Sequence, residues 1–219
     1  MVRSITERQK SLFEMINDNK SDLPQLNDSG QQLEKLKISC LACSCCDLRN
    51  GCEQVVFGDG NPHARLMLIG EGPGADEDRL GIPFVGRAGQ LLDRILNAAQ
   101  IKRDQIYITN VVKCRPPANR LPVQNEVDTC LSYLKKQIEL IDPKLILCLG
   151  ALAARTLVDK SLTITRIRGQ WYEIGGRRWM ATFHPAALLR DPGKKKAVWE
   201  DFKQIMKYYH NTDSGSCSR

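Results

Sequence analysis

Four short apolar runs, each stopped at its end and each followed by a helical pattern, constrain this chain more than any other feature. Arg65 to Gly70 reads Arg-Leu-Met-Leu-Ile-Gly, and Gln105 to Val112 is rich in β-branched residues. Leu145 to Leu149 is stopped by Gly150, and Trp179 to Phe183 ends before His184. Runs this short and this uniformly apolar predict strands buried on both faces. Gly86 to Gln100 carries Ala88, Leu91, Leu92, Ile95, Leu96 and Ala99 at helical spacing. Glu126 to Ile141 reads as a helix ended before Pro143, Ala151 to Val158 begins another, and Trp199 to Tyr209 closes the pattern. Trp171 to Ile174, then Gly175 and Gly176, predict a hairpin whose second strand joins the core. Strands alternating with helices predict an α/β fold with a parallel sheet covered on both faces.

In such sheets ligands bind beyond the C-terminal ends of the strands. The residues just past the four runs are Gly70-Glu71-Gly72, Asn110, Gly150-Ala151 and His184-Pro185, and they are expected to converge on one site. Gly70 to Ala75 matches the bare dinucleotide fingerprint. Pro73 interrupts its turn, however, and Asp76, Glu77 and Asp78 follow where a pyrophosphate needs bare helix-start amides. A glycine-rich loop beside a neutral polar base stays compatible. Asn110 offers a donor and an acceptor side by side, which suits a nucleobase edge or the capping of a turn. The imidazole of His184 can hydrogen-bond an oxygen that gains negative charge.

Length enters as a bound: 219 residues suit one domain with its own core. Residues 31–210 are read as that domain, 1–30 as an N-terminal extension with a short helix over 5–17 and a polar linker, and 211–219 as a disordered tail. No apolar run approaches the ~18 residues of a membrane span. The first residues lack an apolar h-region, so a cytoplasmic protein without a secretory signal is expected. The net charge is +7. From Lys160 to Lys196 there are nine basic and two acidic residues, so one C-terminal stretch carries the whole excess. It is either a solvated lysine-rich edge or a nucleic-acid surface.

Nine cysteines in a reducing compartment point to metal or redox chemistry rather than disulfides. Cys40, Cys43, Cys45, Cys46 and Cys52 crowd one segment, with Cys114 and Cys130 far downstream. Such thiolates can enclose zinc or an iron–sulfur cluster, and spacing alone chooses neither the metal nor between Cys40/Cys43 and Cys43/Cys46. Cys148 reads as a buried thiol and Cys217 as an unbound one.

From about Leu33 to Tyr209 the chain resembles the family 4 uracil-DNA glycosylases, the iron–sulfur type of bacteria and archaea. The resemblance rests on Val55–Pro62, Gly70–Gly74, Gly81–Gln90, Thr109–Pro117, Arg168–Trp171 and Phe183–Pro185, in that order. It implies a three-layer α/β/α sandwich around a central four-stranded parallel sheet. It also implies a [4Fe–4S] cluster on Cys43, Cys46, Cys114 and Cys130, since Cys46-Asp47-Leu48 stands at the family's distance before Val55. Cys40, Cys45 and Cys52 are then extras.

The resemblance further implies that uracil is flipped out of DNA. Phe84 would stack on it, Asn110 would bond its polar edge, and backbone near Gly72 would contact it. His184 would stabilise negative charge on the leaving base, and Glu71 or Glu77 would position water or balance the sugar's charge. Leu188 or Leu189 would fill the emptied stack, with Arg166, Arg168 and Arg190 on phosphates. A monomer acting on uracil-containing DNA is expected; a sliding clamp or other repair protein is left open as a further partner. The rivals are a non-catalytic iron–sulfur nucleic-acid-binding protein, a dinucleotide-dependent oxidoreductase, and a relative with other base specificity or covalent trapping. Val111 to Glu126 has no His, which argues against trapping.

Overall fold

A computed structural model describes residues 28–158 and 163–211. The expected helix over 5–17, nearly all of the linker, Lys160, Cys217 and the tail beyond Asn211 lie outside the described residues. The chain runs through α1 (Asp28–Leu41), α2 (Leu48–Gly51), β1 (Asp59–Gly60), β2 (Leu66–Gly70), α3 (Ala75–Leu80) and α4 (Arg87–Ala98). It continues through β3 (Tyr107–Asn110), α5 (Gln124–Ile141), β4 (Leu145–Leu149), α6 (Ala151–Leu157) and α7 (Ile164–Ile167). β5 (Trp171–Ile174), β6 (Arg177–Thr182), α8 (Pro185–Arg190) and α9 (Lys195–His210) complete it. Helix α1 starts inside the segment read as linker, so the described fold begins slightly before residue 31.

The sheet has the order β1-β3-β2-β4-β6-β5 among the described residues. Its four central strands are parallel and are the four apolar runs. Two antiparallel edge strands extend the expected four. The hairpin partner β5 pairs with β6 through Gly175 and Gly176, both at positive φ, as a two-residue hairpin of this hand requires. Strand β1 has only two residues, too short for an alternation pattern to reveal it.

Alternation in the central strands splits the core into two layers, one on each face. Met67 and Ile69 of β2 pack with Leu33 and Cys40 of α1, Leu134 and Ile138 of α5, and Ala153 of α6. Leu66 and Leu68 pack with Leu92 and Leu96 of α4, Leu188 of α8, and Val198 and Phe202 of α9. The three-layer sandwich is therefore present. Register then brings the strand ends level: Gly70 stands opposite Asn110, and Leu149 opposite Thr182. No described helix is long and apolar enough to cross a membrane.

The strand that ends at His184 is anchored from behind by a buried acid. Asp201 of α9 accepts from Thr182 Oγ1 at 2.6 Å and from Arg168 Nε at 3.0 Å, and a second Arg168 nitrogen donates to it as well. Arg168 also donates to the Ala197 carbonyl, and its guanidinium lies over the Phe183 ring. Replacing Asp201 by Ala would strand this mostly buried guanidinium and the Thr182 hydroxyl. It is expected to cost about 3 kcal/mol, measured by urea denaturation of the variant against the parent.

Candidate active site at the strand ends

A cavity of about 540 Å³ opens beyond β2, β3 and β6, lined by Glu71, Gly72, Phe84, Asn110, His184 and Arg190 among others. The expected convergence therefore holds for three of the four strand ends. Gly150 contributes indirectly. It lies against His184, where an added Cβ would come within 3.1 Å of the His184 Cβ.

Asn110 is buried, and its Oδ1 has no hydrogen-bond partner among the described residues. A buried acceptor left empty costs about 1–3 kcal/mol, so this oxygen is set for an N–H donor brought by a ligand. Gly70 makes the arrangement sterically feasible. A Cβ there would lie 2.4 Å from Asn110 Oδ1 and 2.7 Å from the Phe84 ring. An amide edge and an aromatic face thus border the same space, the combination that reads a flat heterocycle.

Phe84 sits at φ 52, a conformation that costs a non-glycine residue energy and must be held by its surroundings. Three contacts hold it. Glu77 Oε1 accepts from Val85 N–H and Gly86 N–H, each at 2.9 Å, while Oε2 accepts from Gly74 N–H at 3.1 Å. Arg103 donates to the carbonyls of Pro83 and Phe84 at 2.6 and 3.2 Å. Gly89 of α4 lets the loop lie on the helix, since a Cβ there would meet the Phe84 carbonyl at 1.9 Å. Glu77 lines the cavity, and its two oxygens accept from the backbone amides that hold the Phe84 loop. Its bond to Gly74 also occupies the start of α3, in keeping with the rejected pyrophosphate reading.

Glu71 differs. No hydrogen bond or ion pair holds its carboxylate among the described residues. Burial raises its pKa above the usual range, with Arg155 and Arg190 pulling the other way. Of the two candidate carboxylates it is the one free to hold a water.

His184 caps α8: its Nδ1 accepts from Ala186 N–H at 3.1 Å. In the neutral ring the proton must then sit on Nε2, which becomes the donor available to the cavity. Burial depresses its pKa to about 4, with Arg190 adding in the same direction. The imidazole ring lies 5.5 Å from that of Phe84.

Several expected DNA contacts fall elsewhere. Leu188 is 1% exposed and packs in the core, so it is not a wedge; Leu189 is 38% exposed. Arg168 is committed to Asp201 and does not reach out to phosphates. Arg166 is exposed, as are Arg190, Lys195 and Lys196. The Arg120-Leu121 rim of the cavity was not foreseen; Glu126, read as the first residue of the helix, is its third and accepts from the N–H of the N-cap Val123.

The thiols approach one another from three segments. Burial raises the Cys114 pKa, and Cys52, Cys130 and Cys46 raise it further. Cys130 is raised by burial and, in part, by Cys46 and Cys43. Burial pushes the Cys40 thiol up to about 12. Among the described residues no three such side chains stand together as a single metal ion requires. Beside them lies Lys113, fully buried, its Nζ donating to Thr109 Oγ1 (2.6 Å), Gln137 Oε1 (2.6 Å) and the Asn110 carbonyl (2.8 Å). All three acceptors are neutral. Anionic sulfur nearby would supply the missing counter-charge.

Residues 57–203 match the family model described as the uracil DNA glycosylase superfamily. The chain is 44% identical over 170 residues to a type-4 uracil-DNA glycosylase of Thermotoga maritima, covering 76% of this chain and 88% of the relative. It is 40% identical over 185 residues to one of Archaeoglobus fulgidus, covering 80% and 92%. It is 41% identical over 182 residues to one of Sulfurisphaera tokodaii, covering 79% and 83%.

Replacing Glu77 by Ala frees the amides of Val85 and Gly86. Their hydrogen exchange is expected to accelerate at least tenfold, followed by mass spectrometry, while amides of the central strands keep their protection.

Proposed function

The chain belongs to the uracil-DNA glycosylase superfamily, among the type-4 enzymes, and we propose that it flips uracil out of DNA and hydrolyses the bond joining base to sugar. The observation that carries this reading is the unpartnered Asn110 Oδ1 inside a cavity walled by Phe84. Uracil N3–H satisfies that acceptor, and the amide nitrogen can donate to O4. Cytosine presents a bare N3 and an exocyclic amine at the same edge, so it leaves Oδ1 unpaired or opposes donor to donor.

Bond cleavage leaves electrons on the uracil and positive charge on the sugar. His184 donates Nε2–H toward O2 of the leaving base, placing a fixed dipole where charge develops. A neutral donor serves this role throughout the reaction, because Nδ1 is tied to Ala186. Glu71 holds the water that adds to the sugar and opposes its positive charge. Arg166, Arg190 and the exposed lysines at the start of α9 meet phosphates around the flipped nucleotide, with Leu189 at the gap in the stack.

The cysteines fit an iron–sulfur group better than a single ion. They come from three segments, offer sulfur alone as donor, and have a buried cation beside them. Cys43, Cys46, Cys114 and Cys130 would hold a [4Fe–4S] cluster. When bound, it supplies a four-point tie between the loop before α2, the segment after β3 and helix α5.

Uracil-containing oligonucleotide incubated with the protein and then with alkali is expected to break at the uracil. His184→Ala should lower the single-turnover rate by about 10²–10³ with DNA affinity retained; an unchanged rate removes the assigned role. Because the His184 pKa lies at about 4, the ring stays neutral through the ordinary value near 6.5. The rate should therefore show no His184 inflection at pH 6.5; a His184-linked change is expected only as pH approaches 4, where a proton on Nδ1 displaces the bond from Ala186 N–H while Nε2–H remains a donor. Stability follows the same sign. Between those pH values the unfolded chain binds the proton and the folded one does not, so stability falls as pH is lowered. For the cluster, purified protein should be brown, with about four iron per chain and broad absorbance near ~400 nm; Cys114→Ala should lose both.

A further inference from the structure

The cavity mouth has a second rim, formed by the loop between β3 and α5. Leu121 lines the cavity yet is 59% exposed, more than Leu189 on α8. A large apolar side chain held out in water at the mouth of a cavity gains free energy if something covers it in use.

The loop is built to keep it there. Glu126, almost fully buried, binds Arg120 through both oxygens at 2.6 and 2.8 Å and accepts from Val123 N–H at 2.8 Å. One carboxylate thus pins the residues on either side of Leu121 and Pro122. Upstream, Ala118 and Asn119 both adopt left-handed conformations, at φ 52 and 54. Asn119 is fixed by Arg115 Nε at 2.9 Å. A pinned loop cannot fold Leu121 back into the protein.

Its position follows from the sheet. The loop leaves β3, while α8 leaves β6, and β2 and β4 lie between them. Three strand spacings of about 4.8 Å place β3 and β6 themselves roughly 14 Å apart. The basic, Leu189-bearing rim and the Leu121 rim therefore flank the cavity from two sides.

We propose that Leu121 is a second apolar wedge, entering the base stack beside the flipped nucleotide and stabilising the extruded state. The proposal rests on the glycosylase reading. It makes Leu121 a determinant of duplex processing rather than of base choice. Unpaired strands have no ordered stack to replace, so they gain nothing from it.

The test compares the parent with Leu121→Ala, Leu121→Met and Leu189→Ala. Single-turnover excision is measured on one uracil strand, unpaired and in duplex, with melting temperatures recorded. Leu121→Ala is expected to slow duplex excision about tenfold, to leave the unpaired rate within twofold, and to melt as the parent does. Leu121→Met should retain the duplex rate. A pyrene nucleotide opposite uracil, which fills the emptied stack, should restore Leu121→Ala. Equal losses on both substrates would overturn the proposal by assigning Leu121 to the pocket wall. No loss on duplex would also overturn it, as would a parent that acts only on unpaired strands. A parent that excises uracil from neither substrate defeats the glycosylase reading itself, a result distinct from these.

Discussion

The cavity depends on one buried negative charge. Glu77 gathers the amides of Gly74, Val85 and Gly86 from two segments that would otherwise drift apart. Hydrogen bonds to an ionised acceptor are about twice as strong as neutral ones, and the start of α3 favours a negative charge further. That strength balances the left-handed backbone at Phe84 and its tight passage over Gly89. Phe84 in turn closes on Gly70, and Gly70 leaves room for Asn110. The Phe84 wall of the pocket is thus held by a carboxylate spent on backbone amides.

Strand β3 links this pocket to the thiols. Within six residues it delivers Thr109, Asn110, Lys113 and Cys114. Lys113 ties the first two to Gln137 of α5, the helix that also carries Cys130. Gln137 reaches on to the Phe57 carbonyl and the Tyr107 hydroxyl. A shift of the cysteine segments would therefore reach the Asn110 backbone through a short chain of buried polar contacts.

The central strands were legible because residues buried on both faces leave an uninterrupted apolar record. Asn110 and His184 were legible because strand order places such residues at one edge. What was misread depended on contacts remote in sequence. Arg168 meets Asp201 across 33 residues, and no local pattern marks that pairing. Leu188 and Leu189 were indistinguishable because six helical residues are too few to define a face; only packing against α4 and the sheet buries the first. Strand β1 escaped for the same reason, being a two-residue bridge. Glu77 and Glu71 look alike as letters, and what separates them is the number of amides within reach of each.

The empty acceptor at Asn110 has a further consequence. On the proposed reading it meets an edge that the reaction does not alter: the ring keeps that edge after the bond to the sugar is broken. On that reading, the group that admits the substrate would also meet the freed base, with Phe84 still against its face. Only the tether to the DNA has gone, and with it the binding contributed by phosphates. On the same reading, free base would then compete with the next lesion for the same amide.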